Sequence, residues 1–213
     1  LFRSDISKDI LEMNRIVFPD EAEAPLHDPR VHVHIEDGRQ FLQRTGQHFD
    51  LITSEPPPPK QAGVVNLYSR EYFELARDHL NPHGLVSYWV PMHALGASDF
   101  RGIVHAFCDV FRECSLWLGA GPDWMLLGSR EAHERVPDDV LAAQWRDPRL
   151  ASELYAIGLE SPDMLGALFI ADGQTLRAFT ADTPPVVDDF PHRISPYPPA
   201  AVDPYYSEMV DLD

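Results

Sequence analysis

The chain has 213 residues, 44% of them apolar, enough to bury an ordinary core as one domain with an appended tail. Its 17 Lys and Arg against 34 Asp and Glu give a net charge of -17 with no basic stripe, which argues against a nucleic-acid partner. No apolar run is long enough to span a bilayer and no basic-apolar leader opens the sequence, so a cytoplasmic protein is expected, with any membrane association carried by segments outside these residues.

The opening LFRS reads as a short strand. It leads into SDISKDILEMNRIVF, where Ile6, Ile10, Leu11, Met13, Ile16, Val17 and Phe18 recur at helical spacing, with Ser7 as N-cap and Asp9 in the first turn. PLHDPRVHVHIEDG gives a turn, then a strand with Val31, Val33 and Ile35 on one face, closed by Glu36, Asp37 and Gly38. A short helix over 39–44 follows. FDLIT is apolar enough at Phe49, Leu51 and Ile52 to be an internal strand, and the four prolines from Pro56 to Pro59 cannot continue its ladder because proline lacks the donor.

Ser69 caps a helix with Tyr72, Phe73, Leu75, Ala76 and Leu80 on its apolar face, ending near Asn81-Pro82-His83-Gly84. GLVSYWV is the third strand. A helix from Ser98 to Val110 carries Phe100, Ile103, Val104, Phe107 and Val110 as its core stripe, and CSLWLGA and DWMLLGS follow as an antiparallel edge pair joined by a Gly-Pro turn. Cys108 and Cys114 are too few for a disulfide scaffold and lack zinc-site spacing, so reduced, partly buried thiols are expected.

Strands alternating with helices of this length specify an α/β sheet whose first three strands are parallel, with a core over 1–129. Residues 130–213 form an extension. In it HERVPDDVLAAQWRD, LASELYAIG and SPDMLGALFI read as small helices. From Ala181 the chain is an irregular proline-rich tail that wraps the core, anchored by Phe190, Tyr197, Tyr205 and Tyr206, or stays partly disordered.

Ligands of parallel α/β sheets sit beyond the carboxyl ends of the strands. Asp5, Asp37 and Glu55 fall at three such ends. A carboxylate after the first strand can accept both hydroxyl protons of a ribose, one after the next can accept from an exocyclic amine, and the third lies where a reacting group would be. A shared opening for the three is therefore expected. Trp89 and His93 sit at the end of the third strand, Trp89 either packed in the core or as a cleft wall and His93 either facing solvent or bordering the acceptor, whereas His32 and His34 read as polar-face residues and Asp182, Asp188 and Asp189 either as a solvated loop or as a cover over the site.

DPRVHVHIEDGRQFLQRTGQHFDLITSEP, continued by VVNLYSREYFELARDHLNPHGLVSYWV, resembles the spermidine and spermine synthase family, closest to its bacterial spermidine-synthase-like branch. The resemblance implies a partial class I methyltransferase-like, Rossmann-like sheet flanked by helices, an S-adenosylmethionine or decarboxylated S-adenosylmethionine cofactor, and a small amine-bearing substrate. It further implies a homodimer and, in some relatives, fusion to a membrane-embedded segment. Residue by residue, Asp5 matches the acid on the ribose hydroxyls and Asp37 with Gly38 the pair beside adenine. Glu55 matches the first acid of the catalytic loop, and Tyr68 lies in the segment that follows over the substrate side. Independently of the resemblance, the strand-end positions of Trp89 and His93 make them candidates for the acceptor-side wall. No metal is needed, because a sulfonium activates its own carbon.

Pro58 stands where the family places a second acid, so a modified amine acceptor, methyl transfer and a noncatalytic module for dimerisation, regulation or attachment to membrane-transporter-like segments all stay open. The family's glycine-rich first strand has no counterpart in these residues. They are expected to be the later part of a longer polypeptide.

Overall fold

The computed structural model describes residues 2–5, 7–18, 24–59, 63–119, 123–132 and 136–189, with Arg3 and Arg15 described by backbone alone. The chain divides into two compact units, 1–47 and 48–213. In the first, β1 (Phe2–Asp5) runs parallel to β2 (His32–Ile35), with Phe2 opposite His32 and Asp5 opposite Ile35. Between them lies α1 (Lys8–Val17), which starts where Ser7 accepts from the Ile10 amide at 3.4 Å. After β2 comes α2 (Gly38–Arg44). The ring of Phe2 stacks on His32 at 5.1 Å and His34 tilts against Phe41 at 4.8 Å, so the histidines pack through their ring faces. The Val33–Ile35 face is exposed, as are Ile10, Met13, Ile16 and Val17 of α1.

The second unit is built on a five-stranded sheet in the order β3-β4-β6-β5-β7. β3 (Phe49–Ser54) is parallel to β4 (Leu80–Pro91), β6 (Asp123–Ser129) is antiparallel to β4 and to β5 (Glu113–Leu118), and β7 (Phe169–Asp172) is antiparallel to β5. Three sequence expectations are corrected here. FDLIT is not internal among the described residues: β3 stands at one end of this sheet with Leu51 57% exposed. CSLWLGA and DWMLLGS do pair antiparallel, but β6 inserts beside β4, and the far edge is β7. Finally, SPDMLGALFI is helical only as α7 (Pro162–Gly166); its last residues join the sheet, where the Phe169 ring meets Trp117 edge-on at 5.2 Å.

α3 (Arg70–Asp78) is capped by Ser69, as its sequence predicts, and α4 (Ala97–Val110) buries all five residues of its expected stripe, although its N-cap is Gly96. Asn81 to Gly84 is not a loop after α3 but an excursion within β4, since Phe49 pairs with Leu80 and Leu51 with Leu85. His83 turns there with φ 63°, and a Cβ on Gly84 would lie 3.0 Å from the Asn81 and Phe49 carbonyl oxygens, so a side chain at this position would crowd the backbone. The core is an aromatic column of Tyr88, Phe73, Phe107 and Phe111, with successive rings 5.0, 5.0 and 4.6 Å apart.

The cysteines are a further correction. Cys108 and Cys114 form a disulfide, their Cα atoms 5.5 Å apart. Six residues suffice because α4 ends at Val110 and β5 starts at Glu113, so the chain reverses between the two sulfurs.

Beyond Ser129 lie α5 (Asp138–Ala143), α6 (Pro148–Ala156), α7 and α8 (Gly173–Thr180), so the extension supplies β7 and α8 to the second unit. Among the described residues no helix is long and apolar enough to cross a membrane. The Gly121-Pro122 turn and the expected anchors Phe190, Tyr197, Tyr205 and Tyr206 lie outside the described residues.

Candidate active site

In the first unit, parallel pairing puts the carboxyl ends of β1 and β2 on one side. Asp5 closes β1, and its Oδ1 accepts from the Ser7 amide at 2.9 Å; Asp37 caps α2, and its Oδ1 accepts from the Gln40 amide at 2.9 Å. These local bonds fix both carboxylates relative to the backbone. Gly38 opens α2, and a Cβ there would meet nothing within 4 Å. Two carboxylate acceptors are chemically compatible with an adenosine, whose hydroxyls and exocyclic amine bring protons.

In the second unit, Glu55 follows β3 as an exposed carboxylate, and Ser54 lies opposite Tyr88 in β4. The loop after it raises an accounting problem: Pro56 and Pro59 are buried, and four prolines provide carbonyls but no N–H with which to pair them. Tyr68 answers it. Its single hydroxyl proton is shared between the carbonyls of Pro56 and Pro57, at 3.2 and 3.1 Å, from a side chain with no exposure. Two other tyrosines brace the ends of the same stretch. Tyr88 donates to the Leu67 carbonyl at 2.5 Å, and the Tyr72 hydroxyl lies 3.0 Å from Ser54 Oγ. Burial pushes the Tyr68 phenol well above its ordinary range, and burial with the neighbouring Tyr68 and Tyr72 does the same to Tyr88, so both stay protonated and able to donate.

Trp89 is half-buried at the end of β4, its ring 6.3 Å from that of His93. His93 is exposed on the turn that follows, with Nδ1 3.7 Å from Asp123 Oδ1, and β6 begins at Asp123 opposite Pro91. That carboxylate oxygen is buried and lacks a hydrogen-bond partner among the described residues. Glu55, Trp89, His93 and Asp123 thus succeed one another along one end of three neighbouring strands, with β3 and β6 about 10 Å apart. Asp5, Asp37 and Gly38 belong to the first unit and Glu55, Trp89, His93 and Asp123 to the second.

Sequence reasoning missed Asp123 and the roles of Tyr72 and Tyr88. A signal existed for the tyrosines: a buried hydroxyl needs a partner, and a donor-free proline run is a concentration of unmet acceptors. Asp123 sits at the start of a strand where a turn residue is ordinary, and nothing local marks it.

Residues 4–120, more than half of the chain, match the Spermine/spermidine synthase domain. Polyamine aminopropyltransferase 1 of Pseudomonas aeruginosa is 24% identical over 158 residues, covering 71% of this chain and 55% of that protein. The polyamine aminopropyltransferase of a Synechococcus species is 26% identical over 201 residues, covering 89% and 63%. This chain therefore spans less than two-thirds of the length of either relative. A probable spermidine synthase from Corynebacterium glutamicum shares the fold with a TM-score of 0.57 at 16% identity, over 88% of this chain and 63% of that one. With a methyltransferase-like arrangement of sheet and helices and a domain match reaching from Ser4 past the end of β5, the chain belongs to the spermine/spermidine synthase family.

Proposed function

We propose that the protein transfers the aminopropyl group of decarboxylated S-adenosylmethionine to a small amine-bearing acceptor. The observation that carries this reading is the braced loop: Glu55 leaves β3 on a segment whose carbonyls are held by the buried Tyr68 hydroxyl. A proton acceptor carried on a braced backbone needs less reorganisation when it acts than one on a free loop. The family match favours aminopropyl over methyl transfer.

When bound, the donor supplies a carbon activated by its sulfonium and a neutral thioether as leaving group. Asp5 would accept from the ribose hydroxyls and Asp37 from the adenine amine, with Gly38 leaving room for the ring. Glu55 would take the proton that the attacking ammonium must lose before its nitrogen can form the new bond, a general-base role. Trp89 would offer a ring face to the acceptor chain, and His93 with Asp123 would border its far end.

A second reading, a cofactor-fold module without turnover, is favoured by Pro58, which removes a charge-assisted contact from acceptor binding. The two are separated by assaying the full-length protein with both adenosyl donors and a panel of amines, alongside titration of each donor. Product from the decarboxylated donor supports transfer. Donor binding with no product from any amine overturns it in favour of the module.

A further inference from the structure

The late acidic segment, read from the sequence as a solvated loop or a cover, is bonded into the second unit as a strap across α3 and α4. The Val186 amide donates to the Gly102 carbonyl at 3.1 Å, and the Val186 carbonyl accepts from the Arg70 amide at 2.9 Å. Val186 is buried, and a Cβ on Gly102 would come within 3.2 Å of the Pro184 carbonyl, so α4 is bare where the strap crosses it. His105 Nδ1 donates to the Thr183 carbonyl at 2.5 Å. At the far end the Asp188 amide donates to Glu71 Oε2 at 3.0 Å, and Asp188 Oδ1 lies 2.6 Å from Ser69 Oγ.

That last bond has two possible acceptors and one proton. Ser69 Oγ is also 3.0 Å from the Asn66 carbonyl, but the carboxylate is nearer and charged, so it takes the hydroxyl proton. The same oxygen accepts from the Tyr72 amide at 3.3 Å and caps α3. Ser69 has no exposure, and its chain neighbour is Tyr68, whose hydroxyl holds Pro56 and Pro57.

We propose that Asp188 is a positioning residue for the Glu55 loop, acting through Ser69 and Tyr68. The carboxylate fixes the first turn of α3, that turn sets the Tyr68 ring, and the ring sets the backbone from which Glu55 projects. Its kinetic consequence rests on the reading of Glu55 as the proton acceptor; its structural consequence does not.

The test uses the full-length protein with Asp188→Ala, Asp188→Asn, Ser69→Ala and the Ser69→Ala/Asp188→Ala pair, with Asp182→Ala as a control in the exposed part of the strap. Amide exchange is followed at Glu55, Arg70 and Tyr72, and kcat and amine KM are measured separately. Asp188→Ala should speed exchange at Glu55 and lower kcat about tenfold at unchanged amine KM. Asp188→Asn keeps an acceptor oxygen and should restore both, and the second substitution should add nothing to Ser69→Ala. Unchanged exchange at Glu55 in Asp188→Ala, or additive effects in the pair, overturns the proposal. So does a rise in amine KM shared by the Asn and Ala variants, which would make the carboxylate an ammonium ligand. If no amine is alkylated at all, the exchange comparison alone upholds or overturns the latch, so the two readings fail separately.

Discussion

Glu55 and Tyr68 make separable predictions. Replacing Glu55 by Gln keeps size and polarity but removes the proton acceptor, so aminopropyl transfer should fall about a hundredfold to ten-thousandfold while donor affinity holds. Transfer rates beside donor titrations check it, and Glu55→Asp should recover part of the loss. Tyr68→Phe leaves the Pro56 and Pro57 carbonyls without their buried donor, an expected destabilisation of about 1 to 3 kcal/mol by denaturant unfolding. The same substitution should lower kcat, because the loop loses its brace. A full loss of kcat with unchanged stability would instead mean that the hydroxyl meets the substrate.

Single elements carry their own tests. The Cys108–Cys114 disulfide ties the end of α4 to the start of β5 across a short loop, worth about 2 kcal/mol in the chain-entropy view. Denatured protein should show no titratable thiol before reduction and two after it, and reduction should lower the unfolding midpoint. For α8, Asp172 is the N-cap: its carboxylate accepts from the Thr175 amide at 2.8 Å, which holds its pKa below the ordinary carboxylate value. A depressed carboxylate contributes stability above its unfolded pKa and loses it as pH falls through the folded one. Exchange in the first turn of α8 should therefore accelerate at acid pH, and Asp172→Ala should abolish that dependence.

What the sequence disclosed about these elements follows their local chemistry. Ser7 and Ser69 were readable as caps because a cap is a short-range bond, and the α4 stripe because its period needs no partner. The edge position of β3 was not, since Phe49, Leu51 and Ile52 look alike whether a strand has one neighbour or two. β7 was hidden because Phe169 and Ile170 extend the apolar pattern of α7, and only pairing to β5 turns them into a strand. The disulfide escaped because two cysteines six apart say nothing until the chain is seen to reverse between them. In the candidate site the carboxylates at strand ends were legible as positions, while the tyrosine bracing and the Asp188 latch, which span up to 119 residues of sequence, were not.

At the scale of the molecule, a net charge of -17 makes the folded chain repel itself, so the melting temperature should rise as salt increases from low ionic strength. An alkaline limit is also expected. Tyr68 and Tyr88 are held above the phenol value of 10.0 in the folded state, so the stability they contribute is complete below that pH and declines above it. Phenolate absorbance should show these two ionising only together with loss of near-ultraviolet dichroism.

The proline run has a consequence for selectivity. From Pro56 to Pro59 the main chain is a row of oxygens without a single hydrogen to lend, and a carboxylate stands at its head. A phosphate or another anion arriving beside Glu55 would find no backbone N–H in this run to bind it, whereas a protonated amine meets an exposed carboxylate. The missing amide protons are a matter of covalent structure, so no change of backbone conformation restores them.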